Sequence, residues 1–154
     1  EGIFTHVVGA DTSSTLLAGD VARLTGAEHI RMTKLDGGAG QMWHPENDFL
    51  DKNHLILCVE ELITTSASDM EVRKGIRQRW TPTRIHFARY LLTMIDRSNP
   101  DNRVVEVEKS DVIWLLQLNI RNFDPGPATC PYCATGSTAI KPKEDKNWSL
   151  LNER

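Results

Sequence analysis

Two adjacent carboxylates, Glu60 and Glu61, follow an apolar run and precede a turn of small residues. That turn consists of Thr64, Thr65, Ser66, Ala67 and Ser68. Small residues let backbone N–H groups close around a phosphate, and a helix that starts there adds the positive end of its dipole. Carboxylates at the same place suit the hydroxyls of a sugar. The pattern predicts a site for a phosphorylated sugar; the plainer interpretation is a pair of solvated acids before an ordinary helix start.

Lys34 and Arg97 are candidate cations, because each follows a predicted strand. Lys34 precedes a long glycine-bearing segment, which suits a cation that neutralises a departing anion. Most lone lysines are solvated, so a surface Lys34 is the alternative. Arg97 presents a planar guanidinium that matches a carboxylate or a pyrimidine edge. For Arg97 the alternative is a turn arginine paired with Asp96 or Asp101.

Cys130 and Cys133 have the spacing of half a zinc site. A structural zinc ion needs four ligands, and the sequence offers no second cysteine pair or nearby histidine pair. A metal would therefore need ligands from another subunit. We favour a reduced or redox-labile turn pair, and we interpret Cys58, within the apolar run, as a core residue.

The order of apolar segments predicts the elements that position these groups. Strands are predicted at residues 7–9, 28–33, 55–59, 89–95, 104–107 and 112–118, and helices at residues 15–25 and 68–80. Residues 85–95 also fit a helical face, but strand–helix alternation favours a strand. Gly26 is expected to end the first helix, while Ser68 and Glu71 are expected to form a capping box on the second. The segment 34–54 is predicted to be a long loop.

This alternation of strands and helices predicts an α/β domain with a mainly parallel sheet. Ligands of such sheets bind at the carboxyl ends of the strands, where the acids and Lys34 are expected. The chain has 154 residues, 40% of them hydrophobic, and a net charge of −3. That composition fits one globular domain without a basic face for nucleic acid.

Apolar stretches and cysteine content bear on where in the cell the protein is found. No apolar stretch approaches the roughly 20 residues that span a bilayer, and no signal peptide is evident. Three cysteines do not form a secreted disulfide framework, so we expect a cytoplasmic protein. The chain begins at Glu1 without methionine, and we interpret it as a fragment or as trimmed at that end.

Residues 55–68 resemble the binding signature for phosphoribosyl pyrophosphate of the type I phosphoribosyltransferases, and the orotate enzymes of that family match best. Residues 8–12, with the helix after them, resemble the family's pyrophosphate loop. Lys34 resembles the lysine that opens the catalytic loop, and residues 94–97 resemble the strand end whose arginine holds orotate. The Cys130–Cys133 pair is similar to one in the C-terminal tails of some relatives.

The resemblance implies a phosphoribosyltransferase-like core over residues 1–122, a parallel sheet flanked by helices. It implies a C-terminal tail over residues 123–154, placed at a dimer interface or in a hood over the base, and an N-terminal family region missing before Glu1. The implied activity is transfer of ribose 5-phosphate from phosphoribosyl pyrophosphate to orotate in a homodimer. Mg²⁺ would be held mainly by the substrate, and the transition state would resemble an oxocarbenium ion.

The resemblance also assigns roles to single residues. The catalytic set it implies is Lys34, Glu60 and Glu61. The substrate-binding set it implies is Ala10, Asp11, Thr12, Thr64, Thr65, Ser66, Ala67, Ser68 and Arg97. Glutamate replaces the usual first aspartate, and Ser66-Ala67 replaces a glycine pair. Two alternatives follow: a transferase for another base, and a regulatory module that binds phosphoribosyl pyrophosphate without turnover.

Overall fold

The computed structural model describes residues 4–35, 40–43, 54–79, 85–98, 111–121, 123–124, 126–137 and 147. The chain forms two compact units, Glu1–Asn119 and Ile120–Arg154. In chain order the first unit contains β1 (His6–Gly9), α1 (Ser13–Thr25), β2 (Glu28–Ile30), β3 (Met32–Lys34), β4 (Gln41–Trp43), β5 (Leu55–Ile63), α2 (Ala67–Arg79), β6 (His86–Asp96) and β7 (Asp111–Gln117). The second unit contains a short helix, α3 (Pro131–Ala134).

Five of these strands form one parallel sheet in the order β2-β1-β5-β6-β7. The predicted α/β architecture with a mainly parallel sheet is therefore confirmed. β5 lies at the centre of the sheet, and its apolar residues are buried from Ile56 to Val59. A near-continuous apolar run is what a parallel strand covered on both faces requires. The carboxyl end of β1 lies beside the part of β5 that precedes the acid pair, since Gly9 pairs with Val59.

The two helices supply the cover on opposite faces of the sheet. Val8, Cys58 and Leu91 pack in one cluster with Val72 and Ile76 of α2. Val7, Leu57 and Val59 form a second cluster, with Ala18 and Ala22 of α1. Each fully buried aliphatic side chain contributes about 1.5 to 3 kcal/mol of transfer free energy. The strand that carries the acid pair is thus supported from both sides.

The predicted strand over residues 28–33 is two strands separated by Arg31. β2 joins the main sheet, whereas β3 pairs antiparallel with β4 in a separate hairpin. The prediction of one long loop over residues 34–54 was wrong to that extent. Gly40 enters β4 with φ of 111°, a conformation that glycine adopts freely.

The two helix-end predictions differ in outcome. Gly26 has φ of 71° and its N–H donates to the Ala22 carbonyl, so the predicted C-terminal stop of α1 is confirmed. The capping box was wrong, because α2 begins at Ala67 and Ser68 is already helical. The Met70 N–H donates to the Ser66 carbonyl at 3.2 Å, so Ser66 provides the first helical acceptor.

The segment that fitted either a strand or a helix is the strand β6, which pairs with β5 on one side and β7 on the other. The predicted strand over residues 112–118 is confirmed as β7. The one predicted over residues 104–107 lies outside the described residues. Among the described helices, none is long and apolar enough to cross a membrane.

β7 is an edge strand of the described sheet and carries several exposed apolar side chains. They are Ile113, Trp114, Leu115 and Leu116, and Leu115 is the most exposed at 83%. The opposite edge is β2, which is three residues long. The sheet therefore has one short edge and one longer, apolar edge.

Candidate functional site

A pocket of about 200 Å³ opens at the carboxyl ends of β1 and β5. Its lining comprises Ala10, Asp11, Thr12, Ser13, Ser14, Lys34, Glu60, Glu61, Leu62 and Ser68. All three predicted catalytic residues are therefore brought together, with four of the nine predicted binding residues. Thr64, Thr65, Ser66, Ala67 and Arg97 lie outside this lining. Ser13, Ser14 and Leu62 were not predicted.

The acid pair lies within β5, not in the turn after it, because the strand continues to Ile63. Glu60 is 5% exposed, whereas Glu61 is an exposed residue. Ser14 at the start of α1 donates its hydroxyl to Glu60 Oε2 at 2.8 Å. The same hydroxyl oxygen accepts from the Glu61 backbone N–H at 3.2 Å. Two neighbouring carboxylates thus occupy different environments.

The pKa of Glu60 is raised to about 7, chiefly by burial and to a smaller extent by the nearby Asp69 and Glu61 carboxylates, while the Ser14 hydrogen bond opposes the rise. A carboxyl group in this range changes charge near neutral pH. Because the folded pKa lies above the ordinary value, Glu60 adds stability at low pH that is lost as pH rises through about 7. A perturbed carboxyl group in a pocket is a frequent feature of functional sites.

Gly9 allows α1 to start close to the end of β1. A Cβ atom at residue 9 would lie 2.3 Å from the Ser14 carbonyl oxygen, which no real contact tolerates. The chain between them carries Asp11 and Thr12, joined by a cis peptide bond. The absence of a side chain at Gly9 therefore permits the position from which Ser14 reaches the acids.

Lys34, the last residue of β3, borders the pocket from the hairpin. Its backbone N–H donates to Asp11 Oδ2 at 3.3 Å, which links the hairpin to the loop after β1. The side chain of Lys34 is exposed. An exposed ammonium group beside Glu61 and Asp11 gives the pocket both signs of charge, as an anionic sugar with a cationic reacting centre would need.

The hydroxylic turn begins one residue after β5 ends. Ser66 has φ of 64°, a left-handed conformation that costs a non-glycine residue roughly 1 to 2 kcal/mol. It is buried, and its hydroxyl makes no hydrogen bond to any described residue. In the phosphoribosyltransferase signature that this segment resembles, two glycines stand where this chain has Ser66 and Ala67. Ser66 adopts a conformation that favours glycine, whereas Ala67 is helical.

Ser66→Gly is expected to raise the free energy of unfolding by about 1 kcal/mol, because glycine adopts φ > 0 without a steric penalty. Ala67→Gly is the matched control, and it is expected to lower stability by about 0.5 kcal/mol since it weakens a helix start. Urea unfolding of both variants measures the two signs. Equal effects would contradict the assignment of left-handed strain to Ser66.

Arg97 follows β6, and its backbone N–H donates to the Ile63 carbonyl at 3.0 Å. That bond places Arg97 at the same sheet edge as the end of β5. Its Nε atom is buried and donates to no described residue. Asp96, the preceding residue, accepts from the Ser98 N–H at 2.9 Å. Arg97 is thus held by its backbone near the acid pair's strand.

A buried ion pair supports the pocket from α2. Arg73 Nε donates to Asp69 Oδ2 at 2.7 Å, and the Arg73 guanidinium lies 4.9 Å from the Phe87 ring centroid. Burial raises the pKa of Asp69 despite the opposing effect of Arg73. Burial also raises the pKa of the Cys58 thiol, so Cys58 is a protonated core residue. The i, i+4 spacing of Asp69 and Arg73 was visible in the sequence, but their burial was not.

The cysteine pair lies in the second unit and is described by itself. Both thiols are free, and the Cys133 N–H donates to Cys130 Sγ at 3.4 Å. Hydrogen bonds from residue 133 lower the pKa of the Cys130 thiol. Within the described part of the chain, no group of three histidine, cysteine or acidic residues is arranged to hold a metal ion.

A parallel sheet with this strand order, and a pocket at the carboxyl ends of β1 and β5, define the class of fold: the chain has the α/β fold of the type I phosphoribosyltransferases. No protein-family model matches the sequence. No curated protein sequence matches it either. The fold assignment therefore comes from solved structures.

Orotate phosphoribosyltransferase from Aeropyrum pernix is similar, with a TM-score of 0.56 and 16% identity over 75% of this chain and 62% of that one. Adenine phosphoribosyltransferase from Rhodothermus marinus has a TM-score of 0.53 and 15% identity over 77% of this chain and 72% of that one. UMP synthase from Leishmania donovani has a TM-score of 0.53 and 12% identity over 98% of this chain and 30% of that one. The chain thus spans about three-fifths of the Aeropyrum enzyme's length, and these likenesses are ones of fold.

Proposed function

We propose that this chain transfers ribose 5-phosphate from phosphoribosyl pyrophosphate to a nucleobase, with orotate as the favoured base. The observation that carries the proposal is the pocket in which Glu60, Glu61 and Lys34 meet the loop after β1. Acids, a cation and the start of a helix at one sheet edge are the groups that a sugar with two anionic substituents requires. Structures of both orotate and adenine enzymes share the fold.

Each part of the substrate has a proposed partner. Glu61 binds the ribose hydroxyls, and residues 10–12 hold the pyrophosphate through their backbone N–H groups. Residues 64–68, which lead into α2, hold the 5′-phosphate. As the bond from C1 to the pyrophosphate oxygen breaks, its electron pair leaves with pyrophosphate. The lone pair of a base nitrogen then forms the new bond to C1, and the proton of that nitrogen passes to solvent. Lys34 neutralises the departing charge, and the glutamates stabilise the positive sugar.

Magnesium belongs to the proposal as an ion carried by the substrate. The ion would keep several of its waters and be held mainly by substrate oxygens, as is usual for Mg²⁺ in phosphate chemistry. When bound, it would supply charge neutralisation on the pyrophosphate. The chain's own residues would bind the sugar and phosphates. The homodimer, the cytoplasmic location and a role for residues 123–154 in the interface or hood stay predictions.

Arg97 separates an orotate-type enzyme from a transferase for another base. Arg97→Ala is expected to lower kcat/KM for orotate by about 10² to 10³-fold, because a carboxylate loses a charge-assisted, two-pronged partner. Binding of phosphoribosyl pyrophosphate is expected to change little. Steady-state assays with orotate and adenine, together with calorimetry, measure both quantities. Orotate turnover that survives the change would show that Arg97 does not bind the base.

The rival function is a regulatory module that binds phosphoribosyl pyrophosphate without turnover. It is favoured by Ser66, a non-glycine residue in a left-handed conformation within the proposed phosphate turn. The deciding experiment incubates the protein with magnesium, phosphoribosyl pyrophosphate and a panel of bases, and measures pyrophosphate release. Product formation excludes the module. Tight binding without product excludes the transferase.

A further inference from the structure

One hydroxyl group connects the two acids of the pocket. Ser14 Oγ donates to Glu60 Oε2 at 2.8 Å and accepts from the Glu61 N–H at 3.2 Å, so it is used both as a donor and as an acceptor. Ser14 is 4% exposed, so little water competes for these bonds. Ser14 lies in the first turn of α1, whereas the acids lie near the end of β5. The hydroxyl therefore ties a helix start to a strand end.

The two acids respond differently to this contact. The Glu60 carboxylate accepts the Ser14 hydrogen bond and is buried, while Ser14 contacts Glu61 through its backbone N–H and the Glu61 side chain is exposed at the pocket. Adjacent strand residues point to opposite faces, so one anchor can hold one side chain and leave its neighbour free.

We propose that Ser14 is a positioning residue that holds the Glu60 carboxyl group inward and leaves the Glu61 carboxylate facing the pocket, so that the neighbouring acids have unequal roles. Glu61 contacts the ligand, and Glu60 sets the charge beneath it. We call the two hydrogen bonds of Ser14 Oγ, to the Glu60 carboxylate and from the Glu61 N–H, the Ser14 clamp. That the ligand is phosphoribosyl pyrophosphate rests on the proposed function, whereas the clamp rests on these hydrogen bonds.

Several charged groups surround Glu60 on the elements packed against it. Glu61 neighbours it on β5, and Asp69, paired with Arg73, lies on α2. Lys34 of β3 and Asp11 of the loop after β1 line the same pocket. The two nearest carboxylates disfavour a charged Glu60, while the Ser14 hydroxyl favours it. Loss of this hydroxyl should therefore raise the pKa of Glu60.

Carbon-13 NMR of glutamate carboxyl groups tests the clamp directly in the full chain. Glu60→Gln identifies the Glu60 signal by removing it. Ser14→Ala is expected to move the Glu60 titration midpoint upward by about one pH unit, since a hydrogen bond to a charged group is worth roughly that much. Thr15→Ala is the matched control, because the Thr15 hydroxyl lies 3.4 Å from His29 Nε2 and not beside the acids. An unmoved midpoint in Ser14→Ala overturns the proposal.

The pH profile of kcat provides the second readout. If ionised Glu60 stabilises the developing positive charge, the acidic limb of the profile should shift upward with the midpoint in Ser14→Ala. A uniformly lower kcat without that shift would reduce Ser14 to a structural role and overturn the proposal. If Ser14→Ala does not fold, Ser14→Cys keeps a weaker donor and is expected to move both readouts less, in the same direction.

The proposed transferase function and the proposed role of Ser14 can be contradicted separately. If the midpoint moves but the wild-type protein has no transferase activity, the clamp stands and the proposed function fails. If the wild-type protein is active but neither the midpoint nor the profile moves in the variant, the function stands and the positioning role of Ser14 is wrong.

Discussion

Arg73→Met is expected to lower the free energy of unfolding by about 3 to 5 kcal/mol, the typical effect of removing one partner of a buried ion pair. The Arg73 and Asp69 side chains are 6% and 1% exposed, and their contact measures 2.7 Å. Without Arg73, the Asp69 carboxylate is left in a low-dielectric site. The variant also loses the stacking of the guanidinium on Phe87.

The loss of stability in Arg73→Met should be larger at high pH than at low pH. Burial already raises the pKa of Asp69, and Arg73 opposes that rise. Without Arg73 the folded pKa rises further, so Asp69 can be accommodated as the neutral acid at low pH. Stability is then present at low pH and lost as pH rises through the folded pKa. Urea unfolding at about pH 5 and about pH 8 measures this difference.

Two controls separate the ion pair from a general effect of methionine. Arg23→Met removes an arginine whose partner Asp20 lies 3.3 Å away at the surface, and it should cost no more than about 0.5 kcal/mol. Asp69→Leu combined with Arg73→Met removes both charges and should recover most of the lost stability. If the single Arg73 variant costs no more than Arg23→Met, the ion pair does not stabilise the fold.

Glu61→Gln is expected to reduce kcat for phosphoribosyl transfer by about 10² to 10³-fold, provided that the proposed function is correct. The amide keeps the size and most of the hydrogen-bonding capacity of the carboxylate but removes its charge. Since positive charge develops only as the bond to pyrophosphate breaks, the loss should fall on kcat more than on KM. Steady-state kinetics at saturating magnesium separate the two constants.

Glu28→Gln is the control for this change, because the Glu28 side chain is 76% exposed and lies on the edge strand β2, outside the pocket lining. It should retain full turnover. If Glu61→Gln also retained full turnover while Glu60→Gln did not, the roles of the two acids would be exchanged and the clamp by Ser14 would have a different purpose.

The sequence predicted the strands of the sheet better than it predicted the contacts that hold the site residues in place. Apolar runs mark buried strands, so β5 and β7 were recognised from their composition. The end of β5 was placed too early because hydrophobicity stops at Val59, whereas backbone pairing with β6 continues through Glu60 and Ile63. Pairing depends on the neighbouring strand and leaves no local pattern. The hairpin of β3 and β4 was missed for the same reason, since three-residue strands show no periodicity.

Contacts between distant segments account for the residues that were missed. Ser14 bonds Glu60 across 46 positions of sequence, and a serine at a helix start is equally consistent with a simple cap. The Ser66 conformation follows from how the turn joins β5 to α2, which only the assembled fold shows. The acids and Lys34 were predicted because their residue types and order carry the signal themselves.

The two edges of the sheet differ as templates for strand addition. β2 is short and carries the charged Glu28, which blunts its edge, whereas β7 is seven residues long with exposed apolar side chains. Among the described strands, β7 is therefore the surface through which unwanted association would extend the sheet. Leu115 is the most exposed of its side chains, so Leu115→Lys would place a charge on this edge with little effect on the core.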